Sequence, residues 1–190
     1  MKKRDFIVLL MAFFISDSMY AQSFVKGTNI ASVGVGFGST ILNYTGASQT
    51  PAISLQYEKG VWDVGGPGVI SLGGYAGFKG YKYSGKSGTY VWDQKWNYTV
   101  IGVRSAYHYN GIKNDKVDVY GGLMLSYNIV NYKYTDNVGN SGLYSTGSYG
   151  SGVGLTAYIG GRYFFTDNIA AMAELGYGVS YFTIGASLKF

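Results

Sequence analysis

The sequence YFTIGASLKF, residues 181–190, decides the fold. Apolar residues alternate along it with polar or small ones, which is the period of a β-strand whose side chains point to opposite faces. One face carries Phe182, Ile184, Ala186, Leu188 and Phe190. The other face carries Tyr181, Thr183, Gly185, Ser187 and Lys189. The stretch therefore predicts a strand with one wholly apolar face.

Similar stretches fill the rest of the chain. Runs rich in Gly, Tyr and β-branched residues are separated by clusters of Asn, Asp, Gly, Ser and Lys, which is the pattern of strands joined by turns. The eight runs cover residues 28–38, 51–59, 67–78, 96–109, 117–132, 149–164, 168–177 and 181–190. The sequence therefore predicts an all-β fold of eight antiparallel strands connected up and down.

The first residues have the order of a secretory signal peptide. Basic residues at positions 2–4 precede an apolar stretch over residues 6–15, and Ala21 supplies the small residue that a signal peptidase requires. As a helix, the apolar stretch is too short for a hydrocarbon core about 30 Å thick. We therefore expect residues 1–21 to be a signal peptide and residues 22–190 to form one barrel domain.

The composition is unusual for a soluble protein. Only 13% of the residues are charged, whereas about a quarter is typical of soluble domains. After the signal, the sequence has no run of about 18 apolar residues, the length that a membrane-spanning helix needs. The net charge of +5 is too small and too scattered to indicate nucleic-acid binding. If the chain spans a membrane, it must do so with strands.

Alternation alone leaves open whether the apolar faces point into a protein core, as in a lipocalin, or out toward lipid. Longer connections precede the second, fourth and sixth runs, as in membrane barrels with long outer loops and short periplasmic turns. Aromatic residues gather near the run ends, as in the interfacial girdles of such barrels. The prediction is therefore an eight-stranded antiparallel up-and-down transmembrane β-barrel.

The final run resembles the C-terminal assembly signal of outer-membrane proteins, carried by Phe182, Ile184, Leu188 and Phe190. With the Phe-Thr-Asp-Asn turn at residues 165–168, the chain resembles the outer-membrane β-barrel domain family of OmpA-like and OmpX-like, porin-like small outer membrane proteins. This resemblance implies a place in the cell outer membrane of a Gram-negative bacterium. It implies outer-membrane lipid and the barrel assembly machinery as partners, the latter through the last strand, and no single activity.

The interior of an eight-stranded barrel is just wide enough for side chains to fill it, so the inward residues should form a plug. Buried charges are costly unless they are paired. We therefore expect one interior ion network made of Glu58, Arg104, His108, Asp118, Arg162, Glu174 and Lys189. A symmetric hairpin about Lys113 would set His108 opposite Asp118. That pair could act as a proton-sensitive gate or catalytic dyad, but a structural ion pair is the simpler interpretation.

Motifs for catalysis are sparse. One histidine and no cysteine leave no expected metal site, and no Gly-x-Gly-x-x-Gly motif precedes a helix, so we expect neither metal nor cofactor. By analogy with outer-membrane enzymes that modify lipid A, a catalytic histidine should lie near the outer rim. His108 is predicted inward and close to the periplasmic end. We therefore expect no enzyme activity and no catalytic residue.

Three functions follow from this interpretation. The first is a structural or surface-interaction role, with binding or adhesion of an extracellular ligand through residues of the outer loops. These residues are Asn43, Tyr44, Tyr81, Tyr83, Tyr90, Trp92, Asn131, Tyr134 and Tyr144. In a simpler interpretation these rings only anchor the loops at the lipid headgroups, and Lys79, Lys82 and Lys86 pair with lipopolysaccharide phosphates. The alternatives are a lipid A-modifying outer-membrane enzyme and a small-solute porin-like channel, and the filled interior counts against the channel.

Overall fold

The computed structural model describes residues 23–38, 46–112, 114–138 and 150–190. The expected signal peptide, residues 1–21, lies outside this part of the chain, as do Asn43, Tyr44, Lys113 and Tyr144. Among the described residues, no helix is long and apolar enough to cross a membrane.

In the described part of the chain, nine strands form a single sheet. In chain order they are β1 (Asn29–Phe37), β2 (Ser48–Gln49), β3 (Ala52–Asp63), β4 (Gly68–Ser87), β5 (Tyr90–Tyr109), β6 (Val117–Asp136), β7 (Gly152–Phe164), β8 (Ile169–Tyr177) and β9 (Phe182–Lys189). A 3₁₀ turn at Asn110–Ile112 follows β5. Each predicted run overlaps one long strand, because alternating apolar and polar residues suit an extended backbone with two distinct faces. The two-residue β2 is additional.

The sheet closes into a ring. Every neighbouring pair is antiparallel, and β1 pairs with both β3 and β9. Pairing of β4 with β5 completes a ring of eight strands, while β2 attaches to the outer part of β4. Closure supplies each strand with hydrogen-bonding partners on both sides, which is the condition for crossing lipid. The predicted eight-stranded up-and-down barrel is confirmed.

The apolar faces of the strands point outward. On β6, Leu123 and Leu125 are 58% and 60% exposed, whereas Met124 and Ser126 are 3% and 5% exposed. The other strands also expose their large apolar side chains, and the side chains that they bury include the charged ones together with apolar ones such as Val100 and Met172. This is the reverse of a water-soluble barrel and matches a wall that faces lipid. The strands therefore form a transmembrane barrel rather than a lipocalin-like one.

Four strands, β3, β4, β5 and β6, extend beyond their predicted ends, and three of these are unusually long. β4, β5 and β6 each have 20 residues, about twice the 9–11 that cross a membrane. The segment expected to be an outer loop after residue 78 is instead a hairpin with a two-residue turn at residues 88–89, where Ser87 pairs with Tyr90. Its lysines, serines and glycines are typical of loops, but cross-strand pairing overrides that preference. The lysines expected in this loop lie on β4: Lys79, Lys82 and Lys86.

We call the extension of these three strands the outer sheet. It consists of residues 79–87 of β4, 90–98 of β5 and 130–136 of β6. The opposite end of the barrel carries the short connections at residues 64–67 and 165–168 and is called the inner end. The barrel is therefore asymmetric, with an additional three-stranded sheet at one end.

Candidate functional site

A cluster of charged side chains lies in the middle of the barrel. The Nη2 atom of Arg104 donates to Oε1 of Glu174 at 2.6 Å, and its Nε atom lies 2.9 Å from Oε1 of Glu58. The Nη1 atom of Arg162 donates to Oδ2 of Asp118 at 2.8 Å, and its Nη2 atom donates to Oε2 of Glu58. Glu58 therefore bridges two guanidinium groups.

The strand register and the width of the barrel produce this cluster. Asp118 and Arg162 are direct partners on β6 and β7. Inward residues from other strands meet them because an eight-stranded barrel is so narrow. Arg104, Arg162 and Glu58 are each at most 2% exposed. Their burial is tolerable because each charge contacts at least one charge of opposite sign.

Two tyrosines complete the cluster. The guanidinium of Arg162 lies 4.3 Å from the ring centre of Tyr120, and that of Arg104 lies 4.1 Å from the ring centre of Tyr158. The Tyr120 hydroxyl donates to Oε1 of Glu174 at 2.9 Å, and the Tyr158 hydroxyl accepts from Nε of Arg104 at 3.1 Å. Cation–π contacts of this kind strengthen away from water. The expected ion network included neither Tyr120 nor Tyr158. The only sequence signal for them is that both fall at inward-facing positions of their alternating strands.

His108 joins the cluster at its inner side. Its Nδ1 atom lies 2.8 Å from Oδ1 of Asp118, and its Nε2 atom lies 3.1 Å from Oγ of Ser71. The predicted hairpin set His108 directly opposite Asp118, but the register instead pairs His108 with Tyr120. The contact with Asp118 is therefore diagonal, because the turn between β5 and β6 is displaced from the predicted centre.

Phe24 covers His108 at the inner end. The two rings are stacked with centroids 3.7 Å apart and planes within 9° of parallel, and both side chains are 0% exposed. Asn110 Nδ2 donates to the Phe24 carbonyl at 2.8 Å, and Ser23 Oγ donates to the Val117 carbonyl at 2.7 Å. The sequence analysis did not predict this contact. The one feature that pointed to it was a large apolar residue, Phe24, between the expected cleavage site and the first strand.

Lys189 stands apart from the cluster. Its Nζ atom lies 4.5 Å from the ring centre of Phe164, and no carboxylate of the described residues has an oxygen within 4.0 Å of it. As the last residue of β9 it is partly exposed, so its ammonium group can reach water. The expected pairing of Lys189 with an interior carboxylate does not occur among these contacts. The other six residues expected in the network are brought together.

The residues expected to form the assembly signal lie on the lipid-facing side of β9 and at the residue that follows it. Their exposed fractions are 41% for Phe182, 45% for Ile184, 46% for Leu188 and 56% for Phe190. They form an apolar stripe on the strand that closes the ring against β1.

Two cavities lie on the outer side of the charged cluster. The smaller, about 30 Å³, is lined by residues that include Arg104, Glu174 and Thr156. The larger, about 240 Å³, is lined by Tyr98, Asn128 and Thr156 among others, and by none of the charged side chains.

The inward face of the outer sheet is aromatic. Its described aromatic residues are Tyr81, Tyr83, Tyr90, Trp92, Trp96, Tyr98, Tyr132 and Tyr134. Trp92 lies over Gly85, where an added Cβ would fall 2.2 Å from the indole, and its ring centre is 5.3 Å from that of Tyr90. Asn131, also expected in an outer loop, lies on the opposite face of β6. Register therefore gathers on one face aromatic residues that the sequence assigned partly to outer loops and partly to the ends of strands.

Hydrogen bonds fix ionisable groups of the outer sheet. The Tyr90 hydroxyl lies 2.7 Å from the Tyr134 hydroxyl, and this bond, together with nearby Asp136, raises the pKa of Tyr90. Ser84 Oγ donates to Oδ1 of Asp93 at 2.6 Å, and Lys82 Nζ lies 3.1 Å from its Oδ2. The hydrogen bond from Ser84, followed by the contact with Lys82, lowers the pKa of Asp93.

Lys79 differs from the other lysines of β4. It is 1% exposed, and its Nζ atom donates to the Gly38 carbonyl at 2.6 Å. A side chain turned into the barrel in this way is not available to a lipid phosphate outside it. Lys82 and Lys86 lie on the exposed face of the same strand.

Known proteins resemble the chain in structure only. No protein-family model and no curated protein matches the sequence. The outer membrane protein OprG of Pseudomonas aeruginosa is 14% identical, over 89% of this chain and 98% of that chain, with a TM-score of 0.50. Ail, the attachment invasion locus protein of Yersinia pestis, in complex with the heparin analogue sucrose octasulfate, is 13% identical over 87% and 100%, with a TM-score of 0.49. A designed transmembrane β-barrel is 16% identical over 87% and 97%, with a TM-score of 0.49.

The architecture defines the class of protein. A closed antiparallel ring of eight strands, an apolar outer wall and a polar interior are the fold of the small outer-membrane β-barrels. The likeness to OprG, at 14% identity, shows this fold alone. The resemblance to outer-membrane barrels that the final strand indicated is confirmed.

Proposed function

We propose that residues 1–21 export this chain and that it assembles in the outer membrane of a Gram-negative bacterium as a barrel that conducts no solutes. Its role is to present the outer sheet at the cell surface. The last strand supplies the contact for the barrel assembly machinery, and lipopolysaccharide surrounds the outer rim.

The observation that carries the proposal is the charged cluster across the middle of the barrel. Glu58, Arg104, Asp118 and Arg162 are each at most 2% exposed and are joined by ion pairs. A solute passing this level would have to separate several buried ion pairs at once, and breaking each is costly. Phe24 adds an apolar cover at the inner end. These contacts support a closed barrel over a porin-like channel.

The proposed role includes no catalytic step. His108 is the only histidine of the chain, and both of its ring nitrogens have partners, Asp118 and Ser71. It is 0% exposed beneath Phe24, at the end away from the outer sheet. A general base for lipid A chemistry would need to reach its substrate at the outer leaflet. The placement of His108 therefore does not support the alternative of a lipid A-modifying enzyme.

The aromatic face of the outer sheet supports a binding role. Tyrosine and tryptophan provide large contact areas with little loss of conformational entropy, and they dominate many recognition surfaces. Trp92 and Tyr90 lie near the tip of the hairpin and are partly exposed. Flat aromatic rings pack well on the apolar faces of sugar rings, so surface carbohydrate is the proposed ligand class.

Binding can be tested with the protein in lipid nanodiscs applied to a glycan array. We expect retention of the native protein, and a loss of about 30-fold for Trp92→Ala, as for a central aromatic contact residue. Trp62→Ala is the matched control, because Trp62 is 52% exposed near the inner end. Retention no greater than that of empty nanodiscs, or equal retention of both variants, would contradict the binding role.

Orientation can be tested in cells, because the chain contains no cysteine. A single cysteine at Ser87→Cys, in the hairpin of the outer sheet, should react with a membrane-impermeant maleimide on intact cells. Asn114→Cys, in the connection after β5 at the inner end, should react only after the outer membrane is permeabilised. The opposite pattern would overturn the proposed topology.

A further inference from the structure

Three lysines lie side by side on the outward face of the outer sheet. Lys82 on β4 is the direct partner of Lys95 on β5, and Lys95 is the direct partner of Lys133 on β6. Side chains at such positions have Cβ atoms about 5 Å apart. No other register pair of the described residues joins two side chains of like charge. We call this set the lysine row.

The lysine row stands just beyond the apolar wall of the barrel. Four residues closer to the membrane on β4 and β6 are Phe78 and Ile129, which are 49% and 36% exposed on the lipid-facing side. Four residues of strand span about 13 Å, and the tilt of the strands reduces the height that this covers. The ammonium groups therefore lie at the level of the lipid headgroups, and their long stems can bend toward them.

Among the described residues, acidic side chains form an ion pair with only one lysine of the row. Asp93 is bridged to Lys82 at 3.1 Å. Lys95 and Lys133 have no carboxylate oxygen within 4.0 Å among the described residues. Like charges placed directly opposite each other destabilise a sheet. A row of this kind is therefore expected where an anion lies between the lysines.

We propose that Lys82, Lys95 and Lys133 form a binding site for the phosphate groups of lipid A in the outer leaflet. The site rests on the proposed place of the chain in an outer membrane, and it uses the face of the outer sheet opposite to the aromatic residues. The apolar wall below it accommodates the acyl chains, and the ammonium groups bind the phosphates above them.

The test uses purified protein, folded in zwitterionic detergent, and native mass spectrometry of lipid retention. Three probes are compared: lipid A with its phosphates, enzymatically dephosphorylated lipid A, and inorganic pyrophosphate. We expect the native protein to retain phosphorylated lipid A alone. The double variant Lys95→Gln with Lys133→Gln should bind it about 30-fold more weakly, since each surface lysine contributes several-fold to anionic lipid binding.

A charge-matched control removes two exposed lysines of the inner end, Lys59→Gln with Lys116→Gln, and should leave retention unchanged. The double variant Lys95→Arg with Lys133→Arg keeps both positive charges and should retain lipid A as the native protein does. It also provides a folded comparison if the glutamine pair fails to fold. Equal retention of dephosphorylated lipid A, or by the glutamine pair, would overturn the site. Retention of pyrophosphate at the same level would show a site for free anions and would overturn the lipid assignment. None of these results depends on glycan binding or conductance, so the site can fail while the proposed function stands.

Discussion

The phenyl ring of Phe24 lies parallel to the imidazole of His108, with ring centroids 3.7 Å apart. Phe24 belongs to the segment that immediately follows the expected signal peptide. Its carbonyl accepts a hydrogen bond from Asn110, and its ring lies inside the inner end of the barrel. Gly60 permits this path, since a Cβ there would fall 2.3 Å from the Val25 carbonyl oxygen. The imidazole and its partner Asp118 are thereby kept from water.

Replacing Phe24 should expose the histidine. In Phe24→Ala the imidazole loses its cover, and we expect His108 to react with diethylpyrocarbonate at least about tenfold faster than in the native barrel, which corresponds to about 1.4 kcal/mol of lost protection. Because the reagent also modifies lysine and tyrosine, the reaction of His108 is followed by mass spectrometry of the proteolytic peptide that contains this single histidine. Phe165→Ala, at a ring 65% exposed outside the same end, is the control. Equal rates in all three proteins would show that Phe24 does not cover the interior.

Removing one arginine should destabilise the barrel strongly. Arg162→Met leaves Glu58 and Asp118 as buried carboxylates without this partner, and breaking such a pair costs about 3–5 kcal/mol. Urea unfolding in lipid vesicles, followed by tryptophan fluorescence, measures the change. Lys116→Met removes an exposed charge near the inner end and should change the free energy of unfolding by less than about 0.5 kcal/mol. A similar small change for Arg162→Met would mean that the cluster does not stabilise the fold.

Alanine substitution should have opposite effects on the stability of the barrel at two adjacent glycines of β4. A Cβ at Gly73 would fall 1.8 Å from the Tyr57 carbonyl oxygen, whereas a Cβ at Gly74 would meet only the Gly102 carbonyl oxygen, at 4.0 Å. We expect Gly73→Ala to lose about 3 kcal/mol or to fail to fold. Gly74→Ala should be neutral or stabilised by up to about 1 kcal/mol, because alanine restricts the unfolded chain. Heat-modifiable gel mobility and urea unfolding distinguish the two, and equal behaviour would contradict the close approach of β3 to β4.

The pKa of the Asp93 carboxyl should lie below its ordinary value. Its carboxylate accepts from Ser84 and contacts Lys82, which places its folded pKa below the usual 3.8. Because the folded pKa is depressed, the support that Asp93 gives the hairpin is present above about pH 4 and is lost as the pH falls through the folded value. Carbon-13 NMR of the carboxyl group should show a higher pKa in Ser84→Ala and no change in the control Ser87→Ala. A carboxyl that titrates at the same pH in both variants would contradict the hydrogen bond.

Alternation in the sequence was sufficient to predict the barrel but not the ends of its strands. In the run at residues 181–190, the residues predicted for the apolar face include Phe182, Ile184 and Leu188, and these are exposed on the wall of the barrel. Strand β4 ends at Ser87 rather than at residue 78, and β5 begins at Tyr90 rather than at residue 96. Lysine, serine and glycine favour loops locally, and only pairing between the two strands makes this segment a sheet.

The interior was predictable as a set of residues rather than as a set of contacts. Alternation along the strands and the need to pair buried charges selected Glu58, Arg104 and Arg162, and the structure pairs Glu58 with both arginines. The stagger of the strands decides which inward residues meet across the barrel, and no local pattern encodes it. The position of Lys189 at the end of its strand and the return of Phe24 into the inner end depend on that three-dimensional arrangement.

The most direct test of the closed barrel is its conductance. The protein, folded in detergent and shown to be heat-modifiable on a gel, is inserted into a planar lipid bilayer, and insertion is verified by protease digestion of the outer sheet. The charged cluster of Glu58, Arg104, Asp118 and Arg162 predicts no channel steps from the inserted native protein. Steady, uniform channel steps would contradict the account, because ions would then pass the level at which these side chains are paired.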